Sequence, residues 1–185
     1  MLKQLSLASL ISLSLAGSAL ADSFQLSSQD IAQGKFMAKA QEFNGFGCTG
    51  DDLSPQLKWS GAPEGTKSFA VTAYDPDAPT GSGWWHWQII NIPVDVTELA
   101  AGAGKGDNTL APKGSMQMRN DYGSNAFGGA CPPQGHGVHH YRFTVYALKV
   151  EQLELPVDAS AALTGYMLNA NALATSTIEA LYQRD

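Results

Sequence analysis

The chain has 185 residues, of which 44% are hydrophobic and 15% charged, with 11 Lys and Arg against 17 Asp and Glu for a net charge of −6. That length and apolar content suit one domain with its own core and exclude an intrinsically disordered chain. An acidic sequence without basic clusters lacks the electrostatic footprint of a nucleic-acid binder, and its scattered carboxylates read as a solvated surface.

Lys3 precedes a short apolar run over residues 5–15, and Ala19-Leu20-Ala21 follows with the small-residue spacing of a cleavage site. This reads as a secretory signal peptide over residues 1–21, leaving a single domain over 22–185. An uncleaved anchor helix is the alternative, but the run is shorter than the roughly 20 apolar residues a membrane span needs, and no later segment meets that length. The protein is therefore expected to be exported, periplasmic or secreted, with no transmembrane segment. Its two cysteines lie in glycine-rich stretches, Gly45-Phe46-Gly47-Cys48 and Gly128-Gly129-Ala130-Cys131. In an oxidising compartment an even count favours a Cys48–Cys131 disulfide. The competing reading is a catalytic thiol activated by His136 or His139.

Residues 67–75 read as a strand with Phe69, Val71, Ala73 and Asp75 on one face. Asp75-Pro76-Asp77-Ala78-Pro79 ends it. Each proline restricts its own φ and the residue before it, so the two carboxylates are held with little freedom. Ala78–Pro79 is the bond expected to be cis, and an ordinary Asp-Pro turn is the plain alternative. Trp84-Trp85-His86-Trp87 follows, and residues 87–92 read as a central strand buried on both faces. Indoles around an imidazole exclude water and present N–H donors, and a neighbouring carboxylate would hold His86 in one tautomer and charge it. The alternative is a core histidine satisfied by a backbone carbonyl. The small, Gly-rich stretch 99–108 reads as surface loop.

Residues 139–150 form the third clear strand, with His139, Tyr141, Phe143 and Val145 on one face and His140, Arg142, Thr144 and Tyr146 on the other. His136 and His140 fall off the inward phase and read as loop or outer-face residues. Glycines in Pro132-Pro133-Gln134-Gly135-His136-Gly137 let backbone N–H groups approach an anion. Helical spacing is confined to the C-terminal third: Asp158 or Ser160 can cap a segment carrying Ala161, Leu163, Tyr166, Met167, Ala170 and Leu173. Residues 175–182 close the chain as a strand.

If the strands are neighbours, Asp75, His86, His139 and Tyr141 converge at one sheet edge. Such groups are costly to bury unless paired with one another or with a ligand. Three functions fit: an anion or phosphate-headgroup site, a His/Asp metal site, and an Asp–His acid–base enzyme. The metal reading lacks an H-x-x-x-H pair on a helix, since His136 and His140 fall in a loop and a strand, and the enzyme reading lacks a G-x-S-x-G motif; Gly81-Ser82-Gly83 is only a loop. No cofactor motif is present.

Taken together, several separated segments resemble the phosphatidylethanolamine-binding protein family, also called Raf-kinase-inhibitor-like, and most closely its bacterial exported branch. The resemblance rests on Gly47-Cys48, Ser54-Pro55-Gln56-Leu57-Lys58-Trp59, the Asp75–Pro79 and Trp84–Trp87 motifs, the Pro132–Tyr141 loop and Gly165-Tyr166-Met167-Leu168-Asn169-Ala170-Asn171. It implies a mainly β fold, a large antiparallel sheet packed on a smaller one, with a helix and a short strand near the C-terminus. It implies an anion pocket surrounded by Asp75, Asp77, His86, His139 and Tyr141, rimmed by Pro79, Trp84, Cys131 and Pro132. The pocket would take a small anion or a phosphorylated headgroup and act through binding rather than catalysis. A protein partner, such as an extracytoplasmic protease to be inhibited, and pairing of two copies as a homodimer are further implications. His140 departs from the arginine usual between the pocket histidine and tyrosine of eukaryotic members.

Overall fold

The computed structural model describes residues 23–185, so the proposed signal peptide at 1–21 lies outside the described residues. Within them, ten strands and one α-helix follow in order: β1 (Gln25–Ser27), β2 (Asn44–Gly45), β3 (Cys48–Thr49), β4 (Leu57–Ser60), β5 (Ser68–Asp75), β6 (Trp84–Pro93), β7 (Glu98–Leu99), β8 (Met116–Gln117), β9 (His139–Leu148), α1 (Ala161–Asn171) and β10 (Ala172–Tyr182). The fold is mainly β and its strand pairs are antiparallel: a five-stranded sheet ordered β10-β9-β5-β6-β8, a three-stranded sheet β1-β4-β7 and the small β2-β3 hairpin.

β5 and β9 are rich in aromatic and β-branched residues, which fill a pleated, half-buried surface well. Their inward residues Phe69, Val71, Phe143 and Val145, with Trp87 and Ile89 of β6, are at most 1% exposed and pack against Leu57 and Trp59 of the smaller sheet. Burying each such side chain contributes about 1.5–3 kcal/mol. The opposite face of the large sheet carries Ala70, Ile90 and Leu148. It is covered by Leu153, Ala159 and Leu168, so the segment before α1 and the helix itself form the second layer. Ser160 caps α1 by accepting the Leu163 N–H at 3.2 Å, and Ala161, Thr164 and Leu168 form its buried stripe.

Four sequence expectations need correction. The strand through residues 87–92 is buried on both faces but is not central: β5 holds the middle place, and β6 has only the two-residue β8 beyond it. The C-terminal strand is longer than residues 175–182, spanning 11 residues and pairing along β9 down to Tyr182↔His139. The stretch 99–108 is not all surface, because Leu99 and Ala103 are buried and Gly104 sits where a Cβ would meet Phe127 at 2.5 Å. No cis peptide bond occurs among the described residues, so Ala78–Pro79 is trans.

Candidate functional site

His86 reaches the site through an irregularity in β6. The β5–β6 ladder pairs Ala73 with Trp87 and Tyr74 with Trp85, leaving His86 as an extra, unpaired residue. Such a bulge bends the strand and re-aims a side chain. Trp87 lies on the inner face with Ala73. Strict alternation would send His86 to the other face, yet its ring lies 5.1 Å from that of inward-facing Tyr141.

The His86 ring is held by backbone. Its Nδ1–H donates to the carbonyls of Gly128 at 2.7 Å and Gly129 at 3.1 Å. Both carbonyls are placed by close packing: a Cβ on Gly128 would meet the Tyr122 ring at 2.4 Å, and one on Gly129 the Gln41 carbonyl and the Phe43 nitrogen at 2.5 Å. Asp52 adds a further clamp, its Oδ1 accepting the Gly129 N–H at 2.6 Å. Burial pulls the His86 imidazole below its ordinary pKa, with the two carbonyls and the more distant Asp75 charge only partly opposing. The expectation that a carboxylate holds and charges His86 is therefore replaced by the carbonyl alternative.

His139 is held differently. It starts β9 beside the end of β5, and its Nδ1–H donates to Asp75 Oδ2 at 2.7 Å, with both side chains almost wholly buried. The other Asp75 oxygen accepts the Asp77 N–H at 2.8 Å. His139 Nε2 faces Nδ1 of His136 at 2.7 Å. His136, read from sequence as a loop residue off the inward phase, does lie in the loop but folds back onto His139, because glycines on both sides allow positive φ of 73° and 90°.

Asp77 does not join this group. Its carboxylate accepts the His140 backbone N–H at 2.8 Å and the His140 Nδ1–H at 2.7 Å, on the exposed side of the sheet edge. Burial alone would raise its pKa, but the His140 side-chain and backbone bonds hold it below the usual carboxylate range. Alternation along β9 sends His139 inward and His140 outward; Asp75 ends β5 on the inner side, and Asp77, in the turn beyond the strand, meets His140 on the outer one.

Asp75, His86, His139 and Tyr141 meet on one recess of about 170 Å³, with Pro79, Trp84, Cys131 and Pro132 among its walls. The space is sized for a small group. Two residues that sequence reasoning missed complete it, Tyr122 and Phe46. Tyr122 stacks on Phe43 at 4.1 Å, meets Trp84 edge-on and donates to the Gly129 carbonyl at 2.9 Å. Phe46, 75% exposed, stands at the mouth 5.7 Å from Tyr122. Neither residue belongs to a periodic strand, so no sequence pattern marked them. Two buried donors on residues that line the recess, the Trp84 indole N–H and the Tyr141 hydroxyl, make no hydrogen bond of good geometry within the protein, although the Tyr141 hydroxyl lies close to the Asp75 carboxylate. Burial, then the nearby Asp75 charge, pushes the Tyr141 hydroxyl far above its ordinary pKa, so it remains a protonated donor.

Cys48 and Cys131 form a disulfide. It ties the β2–β3 hairpin to the glycine loop, and it removes the thiol that a cysteine-nucleophile reading requires. Among the described residues no three His, Cys, Asp or Glu side chains are grouped to hold a metal ion, and no helix is long and apolar enough to cross a membrane.

A family model described as phosphatidylethanolamine-binding protein matches residues 27–183. The Escherichia coli K12 protein YbcL is 55% identical over 166 residues, covering 90% of this chain and 91% of that protein. YbhB of the same organism is 44% identical over 158 residues, covering 85% and 99%. The crystal structure of YbcL, described as a new member of the mammalian family, superposes with a TM-score of 0.86 over 88% of this chain and 99% of that one. CT736 from Chlamydia trachomatis, 28% identical, superposes at 0.72 over 88% and 98%.

Proposed function

This chain belongs to the phosphatidylethanolamine-binding protein family, whose members generally bind rather than catalyse, and from that premise we propose that it is an exported protein that binds a small anion or a phosphorylated headgroup. The supporting observation is a pair of buried donors without a well-formed hydrogen bond, Trp84 Nε1–H and Tyr141 Oη–H, on residues that line the same recess as His86. A buried donor left unmatched costs about 1–3 kcal/mol, and an anionic oxygen removes that cost while forming a charge-assisted bond. The Cys48–Cys131 disulfide and the leader read at residues 1–21 support export.

The pH dependence follows from His86. Its Nδ1–H is committed to carbonyls, so the neutral ring turns a bare Nε2 to the recess and repels an anion. Protonation converts that atom to a donor. Affinity should rise as pH falls through the lowered His86 value.

Calorimetric titration of inorganic phosphate and phosphorylethanolamine into wild type and Tyr141→Phe tests the reading. A hydrogen bond to a charged group contributes about 1.5–3 kcal/mol, so the variant should bind about 10- to 100-fold more weakly. It should also be as stable as wild type or more so, since a buried hydroxyl without a partner is gone. Equal affinity in the two proteins, or no binding to wild type from pH 5 to about 8 where histidines titrate, would overturn the proposal. A second reading, in which the anion is a carboxylate on a protein partner such as an extracytoplasmic protease, draws on Phe46. An exposed phenyl at the mouth suits contact with a larger body, and Phe46→Ala would then weaken partner binding while leaving phosphate affinity unchanged.

A further inference from the structure

The recess contains a donor that the protein itself covers. His139 lines it, yet the His139 Nε2 that would face a ligand is bonded to His136 Nδ1 at 2.7 Å. Proton counting at this contact is restrictive. Nδ1 of His139 must carry hydrogen, because its partner is a carboxylate oxygen of Asp75. The contact between His139 Nε2 and His136 Nδ1 therefore holds one proton, on one ring or the other. A second proton places two N–H groups nose to nose and breaks the bond.

The surroundings suit a part that opens. His136 is exposed, while His139 is 1% exposed. Gly135 and Gly137 flank His136 at φ 73° and 90°, and a Cβ added at either would meet nothing within 4 Å. The loop is fastened by few bonds: the Gly135 N–H to the Arg184 carbonyl at 2.9 Å, the His136 N–H to the Pro133 carbonyl at 3.1 Å and the Gln134 amide to the Asp185 carbonyl at 2.8 Å.

We propose that His136 is a displaceable internal occupant of the binding site, latched to His139 by a single shared proton and released when both rings are protonated or when an anion takes its place. The inference rests on the anion-binding reading and deepens it by adding a residue that sets when the site is open. Closed, the latch denies the ligand a donor; open, it leaves His139 as an imidazolium anchored on Asp75 with Nε2–H free.

Charges around the pair act in both directions. From β5, Asp75, and from the turn after it, the outward Asp77, favour protonation. From β6, His86 adds repulsion only if it too is charged; from β9, His140 is paired to Asp77, and Tyr141 stays neutral. From the C-terminal side, Tyr182 is bonded to Glu42. The Arg184 guanidinium, 3.3 Å from the Pro132 carbonyl, opposes a second proton, while the negative charge of Asp185, whose carbonyl holds Gln134, favours it. Acidification opens the latch, so anion affinity should be lowest where one proton is shared.

Two measurements on the mature, disulfide-bonded protein test this. In ligand-free protein, ¹⁵N NMR of the imidazoles from about pH 8 to 5 should show His139 Nε2 and the Gly135 and Gly137 amides changing together. In His136→Ala, His139 should titrate without any accompanying change at the loop amides. Identical His139 titrations in wild type and variant would overturn the latch, whatever the outcome with ligand. Second, inorganic phosphate should bind His136→Ala more tightly than wild type near neutral pH, and the two should converge in acid. If the latch is closed nine-tenths of the time, the gain is about ten-fold, because affinity scales with the competent fraction. Equal or weaker binding by the variant at neutral pH would overturn the proposal. Coupled titration in the NMR arm with no phosphate binding by either protein would instead sink the anion reading and leave the latch standing.

Discussion

The two histidines of the recess have the same ring and opposite supports. His86 is fixed by peptide carbonyls of a glycine loop that a disulfide ties down, and burial keeps it from charging. His139 is fixed by a full carboxylate at the end of a regular strand. Carbonyl dipoles orient a ring and favour its cation only in part against burial, whereas a carboxylate orients it with a full opposite charge. One recess thus contains an imidazole that an incoming anion must help to protonate and another already facing a negative charge.

The sharpest way to break this contrast is Asp75→Ala. It removes one member of a buried pair and leaves His139 and the Asp77 N–H without acceptors, which should cost about 3–5 kcal/mol in chemical denaturation. The His86 ring should keep its orientation, because its carbonyl supports are untouched, while loss of the Asp75 charge makes it still harder to protonate; loss of order at both rings alike would show that the walls are not independent. Next comes the double change Cys48→Ser with Cys131→Ser, which releases the loop that holds His86. Closing a loop of 83 residues stabilises by about 2–4 kcal/mol, so the loss should fall in that range, and it should disturb His86 more than His139.

The smallest effect is a pH slope belonging to His86 alone. Its folded-state pKa is depressed, so the folded form binds fewer protons than the unfolded form between the two values. The corresponding stability is fully present above the ordinary imidazole value near 6.5 and is lost as pH falls through the folded value. Thermal unfolding of ligand-free protein from about pH 7.5 to 5 should show Tm dropping less in His86→Gln than in wild type, and phosphate should reduce the wild-type drop. A slope unchanged by the substitution would reassign it to other groups.

How much of this was legible depended on the regularity of each segment. Asp75 was placed on the inner face by Phe69, Val71 and Ala73, and His139 and Tyr141 by Phe143 and Val145, because a strand repeats every two residues and its apolar members point to the core. His86 broke that rule. A bulge depends on how β6 pairs with β5, and nothing in Trp84-Trp85-His86-Trp87 marks the extra residue. Asp77 was misplaced for a related reason: proline restricts its backbone, but its partner is a residue 63 positions away. Tyr122, Phe46 and the folded-back His136 lie in loops, where direction is set by what the loop lands on.

The order of apolar and polar residues along each strand was sufficient to determine a β-rich chain with inward carboxylate, imidazole and phenol, since side-chain alternation is a local property of extended backbone. Only the tertiary structure decided which ring each carboxylate meets, which donors remain unmatched and which histidine covers the other. Those outcomes depend on register, bulges and loop landings between segments far apart in the chain, and no local preference encodes them.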